Sequence, residues 1–208
     1  MPLVIGVVPG VTPDKWARVW RERRPDEPLT VVPVEDPLAA LTEGRAAMVF
    51  ARLPVEADDV HVIPLWEETP IVVAARDHPV KAFESVAEAD LEGEEVRPGW
   101  DEPTLDLVAA GHGIARMPQS VFRATGRRDL VARPVHDASP TRVGLVWRRD
   151  AGGEDVDLFI GIVRGRTANS SRGEAAPEPV RPERPRRDAK VSRAAPRPGR
   201  PSARRRRG

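Results

Sequence analysis

Residues 107–122, LVAAGHGIARMPQSVF, contain the pattern that decides the fold. Small and apolar residues close a helical run at Ala110, and Gly111 and Gly113 can take the positive φ that a helix C-terminus needs. A short apolar strand follows, and Pro118 suits the first turn of the next helix. A helix, a glycine turn, a buried strand and a second helix predict an α/β fold with a largely parallel sheet.

The chain before this stretch alternates strands and helices. Apolar runs at 3–8, 29–34 and 46–51 are typical of strands that are covered on both faces. The spacing of apolar residues predicts an amphipathic helix at 13–24, and a second, short helix is expected at 37–43. This β-α-β-α-β order requires right-handed crossovers between parallel strands.

The second half of the chain predicts a separate α/β unit. Residues 60–65 form an edge strand in this interpretation, because Pro64 cannot donate to a central ladder. Further strands are expected at 69–75, 129–135 and 141–148, and a closing helix is expected at 156–165.

Two lobes follow from this order, joined where the chain crosses between them near 74–80 and 148–154. The first lobe takes about 1–74 and 150–167, and the second takes about 75–149. Ligands of open α/β sheets bind at the carboxyl ends of strands, so a cleft between the lobes is the expected binding site.

The charge of the chain is divided between this body and a basic tail. The net charge is +1, but residues 171–208 contain 13 Arg and Lys against 4 Asp and Glu, a net of +9. Residues 1–170 therefore carry a net charge of −8. The tail is rich in proline and poor in large apolar residues, which predicts disorder over 168–208.

Composition and motifs argue against several classes of function. The 208 residues include no cysteine, and the four histidines are not spaced as metal ligands. No nucleophile elbow, phosphate-binding loop or zinc-protease motif is present. No apolar run approaches the length of a membrane span, and the N-terminus is not a signal peptide. We expect a cytoplasmic protein that is not an enzyme, has no metal or other cofactor and does not contact a membrane.

An ordered set of motifs resembles the effector-binding domain of LysR-type transcriptional regulators. These motifs include VIGVVPG at 4–10, PLWEETPIVVAARDHPV at 64–80, the opening stretch, and VGLVWRRD at 143–150. The resemblance covers about residues 3–165. It implies a two-lobed fold of the type-2 periplasmic-binding-protein kind, with a second lobe that is shortened between Leu91 and Leu107.

The resemblance also implies a small-molecule effector and a partner. The family's winged helix-turn-helix is not among these residues, so action through a related regulator is expected rather than through a DNA-binding head. A homodimer or heterodimer would place helix 13–24 of one chain near helix 118–126 of the other. Trp16 and Trp20 give helix 13–24 a broad apolar face, part of which can belong to the core.

Five residues are candidates for binding a small carboxylate or similar anion. Gly10 and Thr12 lie where the first strand meets the first helix, whose free amide groups suit a negative charge. Thr12 is equally explained as the helix N-cap. Arg52 follows the third strand and can pair with an anion, although a solvated surface arginine is the more common case. Arg97 and Trp100 belong to the expected far wall of the cleft.

A second hypothesis places the function in the tail. An Arg-rich segment at 172–207 can bind nucleic acid nonspecifically through counterion release, with the body as a degenerate scaffold. A steep salt dependence of DNA binding that is lost on truncation at residue 170 would favour this hypothesis. A rise in the melting temperature of the body with a small ligand would favour the sensing module.

Overall fold

The computed structural model describes residues 2–166, which form two sheets with helices packed on them. No helix in this range is long and apolar enough to cross a lipid bilayer. In chain order the elements are β1 Leu3–Val7, α1 Asp14–Arg23, β2 Leu29–Pro33, α2 Pro37–Thr42, β3 Met48–Leu53, β4 Val60–Glu68, β5 Pro70–Ala75, β6 Val96–Arg97, α3 Glu102–Ala109, β7 Ile114–Pro118, α4 Gln119–Thr125, β8 Leu130–Pro134, β9 Thr141–Arg148 and α5 Glu154–Val163.

The first sheet has the strand order β2-β1-β3-β9-β4. Strand β1 runs parallel to β2 and β3, as the alternation of strands and helices predicts. Strand β9 is antiparallel to β3 and β4, because it returns from the second lobe and enters this sheet from the opposite end. Strand β4 lies at the edge, which confirms the interpretation of Pro64, although the strand extends further than expected, to Glu68.

The second sheet has the order β6-β7-β5-β8 and corrects the expectation of a largely parallel sheet. Only β6 and β7 are parallel, whereas β5 is antiparallel to both of its neighbours. Strand β6 contains only two residues and lies at the edge of this sheet.

The chain crosses between the sheets at positions other than those predicted. Strand β4 of the first sheet ends at Glu68 and β5 of the second begins at Pro70, so the first crossing is a single residue, Thr69. The return lies between Pro134 and Thr141. The crossings at 74–80 and 148–154, and the lobe boundaries based on them, are wrong, because apolar runs locate strands without showing which sheet they join. The first lobe is 2–68 with 141–166, and the second is 70–135; the predicted disordered tail, 168–208, lies outside the described residues.

Helix α1 buries its apolar face inside the first lobe. Trp20 is completely buried and Trp16 nearly so, and the Trp16 ring stacks on Phe50 with 5.0 Å between centroids. The exposed residues of α1 are charged: Asp14, Lys15, Arg18, Arg21 and Glu22. The two tryptophans therefore belong to the core and do not form an apolar contact face for a partner.

The opening stretch has the structure that its sequence predicts. Helix α3 ends at Ala109, and Gly111 and Gly113 follow with φ of 83° and 89°. Strand β7 and helix α4 come next, with β7 in the centre of the second sheet. The Gly113 turn brings β7 beside β6, where the Ile114 amide donates to the Glu95 carbonyl at 2.8 Å.

Candidate functional site

A cavity of about 750 Å³ lies between the carboxyl ends of the first-lobe strands and the helices of the second lobe. Its first-lobe wall comes from residues that follow β1 and β2 and from the end of β3. Its second-lobe wall comes from the segment before α3 and from α4. The lining residues are Val8, Pro9, Glu35, Pro37, Arg52, Gly99, Trp100, Asp101, Val121, Ala124 and Thr125.

Arg52 is the basic residue in this lining, and its charge is already paired. Its Nε donates to Glu68 Oε2 at 2.8 Å, and its Nη2 donates to Glu68 Oε1 at 3.2 Å. Nη2 also donates to the Pro9 carbonyl at 2.9 Å and approaches Ser120 Oγ at 3.4 Å. A paired, two-point contact of this kind fixes the plane of the guanidinium group.

Glu68 is a buried carboxylate at the point where the chain leaves the first lobe. Its side chain is 3% exposed and that of Arg52 is 15% exposed. The Ser120 hydroxyl of the second lobe donates to Glu68 Oε1, so one carboxylate joins residues of both lobes. Burial of a carboxylate is tolerated when it is paired and hydrogen-bonded, and Glu68 meets both conditions.

The far wall of the cavity is formed by Trp100 and Asp101. The Trp100 ring is partly exposed and lies 6.0 Å from the Arg52 guanidinium carbon. Asp101 is the N-cap of α3 and accepts a hydrogen bond from the Thr104 amide at 2.8 Å. Hydrogen bonds from Thr104, mainly from its side chain and to a smaller extent from its backbone amide, hold the pKa of the Asp101 carboxyl below its ordinary value. Asp101 therefore presents a negative charge to the cavity at neutral pH.

The five predicted ligand residues are only partly brought together. Arg52 and Trp100 line this cavity, whereas Gly10, Thr12 and Arg97 are not among its lining residues. Gly10 has φ of 80°, and a Cβ placed on it would lie 2.7 Å from the Ser120 carbonyl carbon, so the loop after β1 packs against the start of α4. Arg97 is occupied elsewhere, because it donates to the His112 carbonyl at 2.8 Å and to Glu95 at 2.9 Å.

The interpretation of Thr12 as a helix cap is wrong. Helix α1 begins at Asp14, its N-cap is Pro13, and no side chain caps it. Thr12 is exposed and one position too early to reach the first free amides of the helix. Two other helices do have side-chain caps, since Asp36 accepts from the Ala39 amide and Asp101 accepts from the Thr104 amide.

Sequence reasoning missed Glu68 and Ser120. One signal for Glu68 was available, because alternate residues of a strand share a face. Trp66 contacts the core rings of Trp16 and Phe50, so Glu68, two residues further along β4, lies on the inner face as well. Glu67 points outward and pairs with Arg142. No local pattern marks Ser120, whose role depends on the packing of the second lobe.

The sequence of this chain matches a known family of effector-binding domains. The LysR substrate binding domain model matches residues 2–96 and 102–168. This chain belongs to the LysR substrate-binding domain family.

Named relatives include regulators that carry this domain. The chain is 29% identical over 141 residues to the DNA-binding transcriptional dual regulator OxyR of Escherichia coli K12, covering 53% of this chain and 46% of that protein. It thus spans about half the length of the curated relatives that it matches. The 208 residues contain no cysteine, so the cysteines that were substituted in solved OxyR structures have no counterpart here.

Solved structures share the fold at low sequence identity. The BenM effector binding domain with its effector benzoate has a TM-score of 0.63 at 20% identity, covering 79% of this chain and 90% of that one. The OxyR regulatory domain from Pseudomonas aeruginosa, solved as a cysteine-to-aspartate mutant, has a TM-score of 0.60 at 21% identity, covering 79% and 96%. Corynebacterium glutamicum OxyR, solved as an H2O2-bound cysteine-to-serine mutant, has a TM-score of 0.61 at 24% identity, covering 79% and 67%.

Proposed function

We propose that this chain is a regulatory module that binds a small-molecule effector and is not an enzyme. The observation that carries the proposal is the cavity at the carboxyl ends of β1 to β3, which has the size and the mixed apolar and polar lining of ligand sites. Both lobes contribute walls, so a ligand in the cavity would contact both and favour one arrangement of the lobes over others.

The charge of the cavity favours an uncharged or positively charged effector over the anion expected from the sequence. The lining carries one basic side chain, Arg52, and two acidic ones, Glu35 and Asp101. Glu68 already occupies Arg52, so an anion at this position has to compete with a tethered carboxylate. Trp100 adds an aromatic face, which attracts cations and stacks on flat apolar groups.

A thermal-shift screen with small aromatic compounds in matched sets tests this proposal. Benzyl alcohol, benzylamine and benzoate have similar shapes and differ in charge. We expect an uncharged or cationic compound, such as benzyl alcohol or benzylamine, to raise the melting temperature of the domain, and we expect benzoate not to raise it. The ring of Trp100 forms part of the wall of the cavity. Trp100→Ala is therefore expected to lower the affinity for that ligand by about tenfold, as for an aromatic anchor in a pocket.

The control for this experiment is Leu107→Ala. Leu107 is an exposed apolar residue on α3 that does not line the cavity, so the affinity should stay at the wild-type value. A complete screen without any thermal shift, or equal loss in both variants, would remove the support for an effector site here.

We also propose that the module acts through a related regulator or a second copy of itself. The support is membership of a family whose named relatives are transcription regulators of about twice the matched length. Sedimentation equilibrium at tens of micromolar measures self-association. A monomer at that concentration would count against a homodimer and leave the related regulator as the partner to identify.

A second proposal concerns the basic segment 172–207. Its support is the net charge of +9 over residues 171–208 beside −8 for the rest of the chain. Nonspecific DNA binding through this segment should weaken steeply as salt rises, because counterions are released on binding. Fluorescence anisotropy with labelled DNA between low and physiological salt measures the slope, and truncation after residue 170 should abolish binding. Unchanged binding after truncation contradicts the proposal.

A further inference from the structure

Arg52, the basic residue that lines the cavity, is paired with a carboxylate of the chain itself, Glu68, which lies behind it. Glu68 is the buried acidic residue of the described core, and its relative exposure is 5%. Both of its oxygens are used by Arg52, at 2.8 Å and 3.2 Å, and one also accepts from Ser120. This is the arrangement that a bound carboxylate ligand would make with an arginine and a hydroxyl.

Glu68 is held in this position by the strand that carries it. It is the last residue of β4, where Glu68 pairs with Thr141 of β9, and the chain turns into the second lobe directly after it. A tethered carboxylate competes with a free one at a high effective concentration. A free anion therefore cannot replace Glu68 at Arg52 without opening a buried ion pair.

We propose that Glu68 determines the charge selectivity of the cavity, acting as a built-in carboxylate that occupies Arg52 and excludes anionic effectors. This inference rests on the proposed function only in taking the cavity as the ligand site. Removing the carboxylate would leave a space of carboxylate size beside Arg52 and Ser120, which a small free carboxylate should then fill.

Chemical rescue by acetate tests the role of Glu68. In Glu68→Ala, tens of millimolar sodium acetate should raise the melting temperature by about 3 °C or more above the same concentration of sodium chloride. The wild-type protein should show no such difference. Glu67→Ala is the matched control, because Glu67 is the neighbouring carboxylate on the same strand and its partner Arg142 is exposed to solvent.

A binding measurement gives an independent result if Glu68→Ala folds poorly. Glu68→Gln keeps the shape of the side chain and removes its charge, and it should bind benzoate at least about tenfold more tightly than the wild-type protein, as for a gained charge-assisted contact. The Arg52→Gln, Glu68→Gln double variant should lose this gain, which places the bound anion at Arg52. Calorimetric titration measures all three proteins.

Two results would overturn the inference. One is equal stabilisation by acetate in the wild-type protein and in Glu68→Ala. The other is an equal affinity for benzoate in the wild-type protein and in Glu68→Gln. Failure of the proposed function is a different result, namely that no uncharged or cationic compound binds the wild-type cavity, and it is compatible with acetate rescue.

Discussion

Replacing Gly113 with alanine is expected to destabilise the domain strongly, and more than the same change at Gly111. Both glycines have positive φ, 89° and 83°, so alanine costs about 1–2 kcal/mol of backbone strain at either position. At Gly113 a Cβ would also collide with the Glu95 carbonyl oxygen and lie 3.1 Å from its carbon. Relief of that overlap requires β6 to move, at a further cost of about 1–3 kcal/mol.

Gly111 is a matched control for this experiment, because a Cβ there meets no atom within 4 Å. Urea unfolding of the two variants measures the difference, which isolates the close approach from the backbone conformation. The Glu95 carbonyl accepts the Ile114 amide, so the collision also disturbs the pairing of β6 with β7. Equal stabilities of the two variants would show that β6 can move away from the Gly113 turn without cost.

Replacing Arg52 with alanine is expected to cost about 3–5 kcal/mol of unfolding free energy, as for a buried ion pair that loses one partner. Glu68 would keep its Ser120 contact and lose both bonds to the guanidinium. The size of the effect follows from burial, because the Glu68 side chain is 3% exposed and its negative charge would be left without the arginine that neutralises it.

The control for Arg52 is Arg142→Ala on the neighbouring strand. Arg142 pairs with Glu67, and both side chains are about half exposed, so this change should cost no more than about 1 kcal/mol. The Arg52→Gln, Glu68→Gln double variant should recover a large part of the stability lost in Arg52→Ala, since no buried charge remains unpaired. Chemical denaturation measures all three variants, and a loss for Arg52→Ala as small as that for Arg142→Ala would contradict the burial argument.

Much of the fold could be predicted because the signals are local. The glycines at 111 and 113, the apolar strand after them and Pro118 act through their own backbone preferences. Pro64 predicted an edge strand for a similarly local reason, since it lacks an amide to donate. The crossing points were wrong because an apolar run has the same appearance in either sheet.

The candidate site could be predicted only in part, because its chemistry depends on tertiary contacts. Arg52 was identified from its place at the end of β3, but its partner lies 16 residues away and is fixed by the packing of β4. Thr12 had suitable chemistry at the wrong position, since the helix starts after Pro13. The acidic character of the lining could not be predicted, because it arises from Glu35 and Asp101, which belong to different lobes and meet only in the folded cavity.

The single-residue crossing at Thr69 has a mechanical consequence for the whole domain. Glu68 pairs with Thr141, and the Val135 amide donates to the Pro70 carbonyl at 3.0 Å, so both connections between the lobes run side by side. Any rotation of one lobe against the other would therefore have its axis near these two connections. Displacement grows with distance from a rotation axis. Glu68 and Arg52 lie close to this axis and would move little, whereas groups farther from it would move more. A small rotation that leaves the Arg52–Glu68 ion pair almost in place would therefore move the far ends of the lobes by a larger distance.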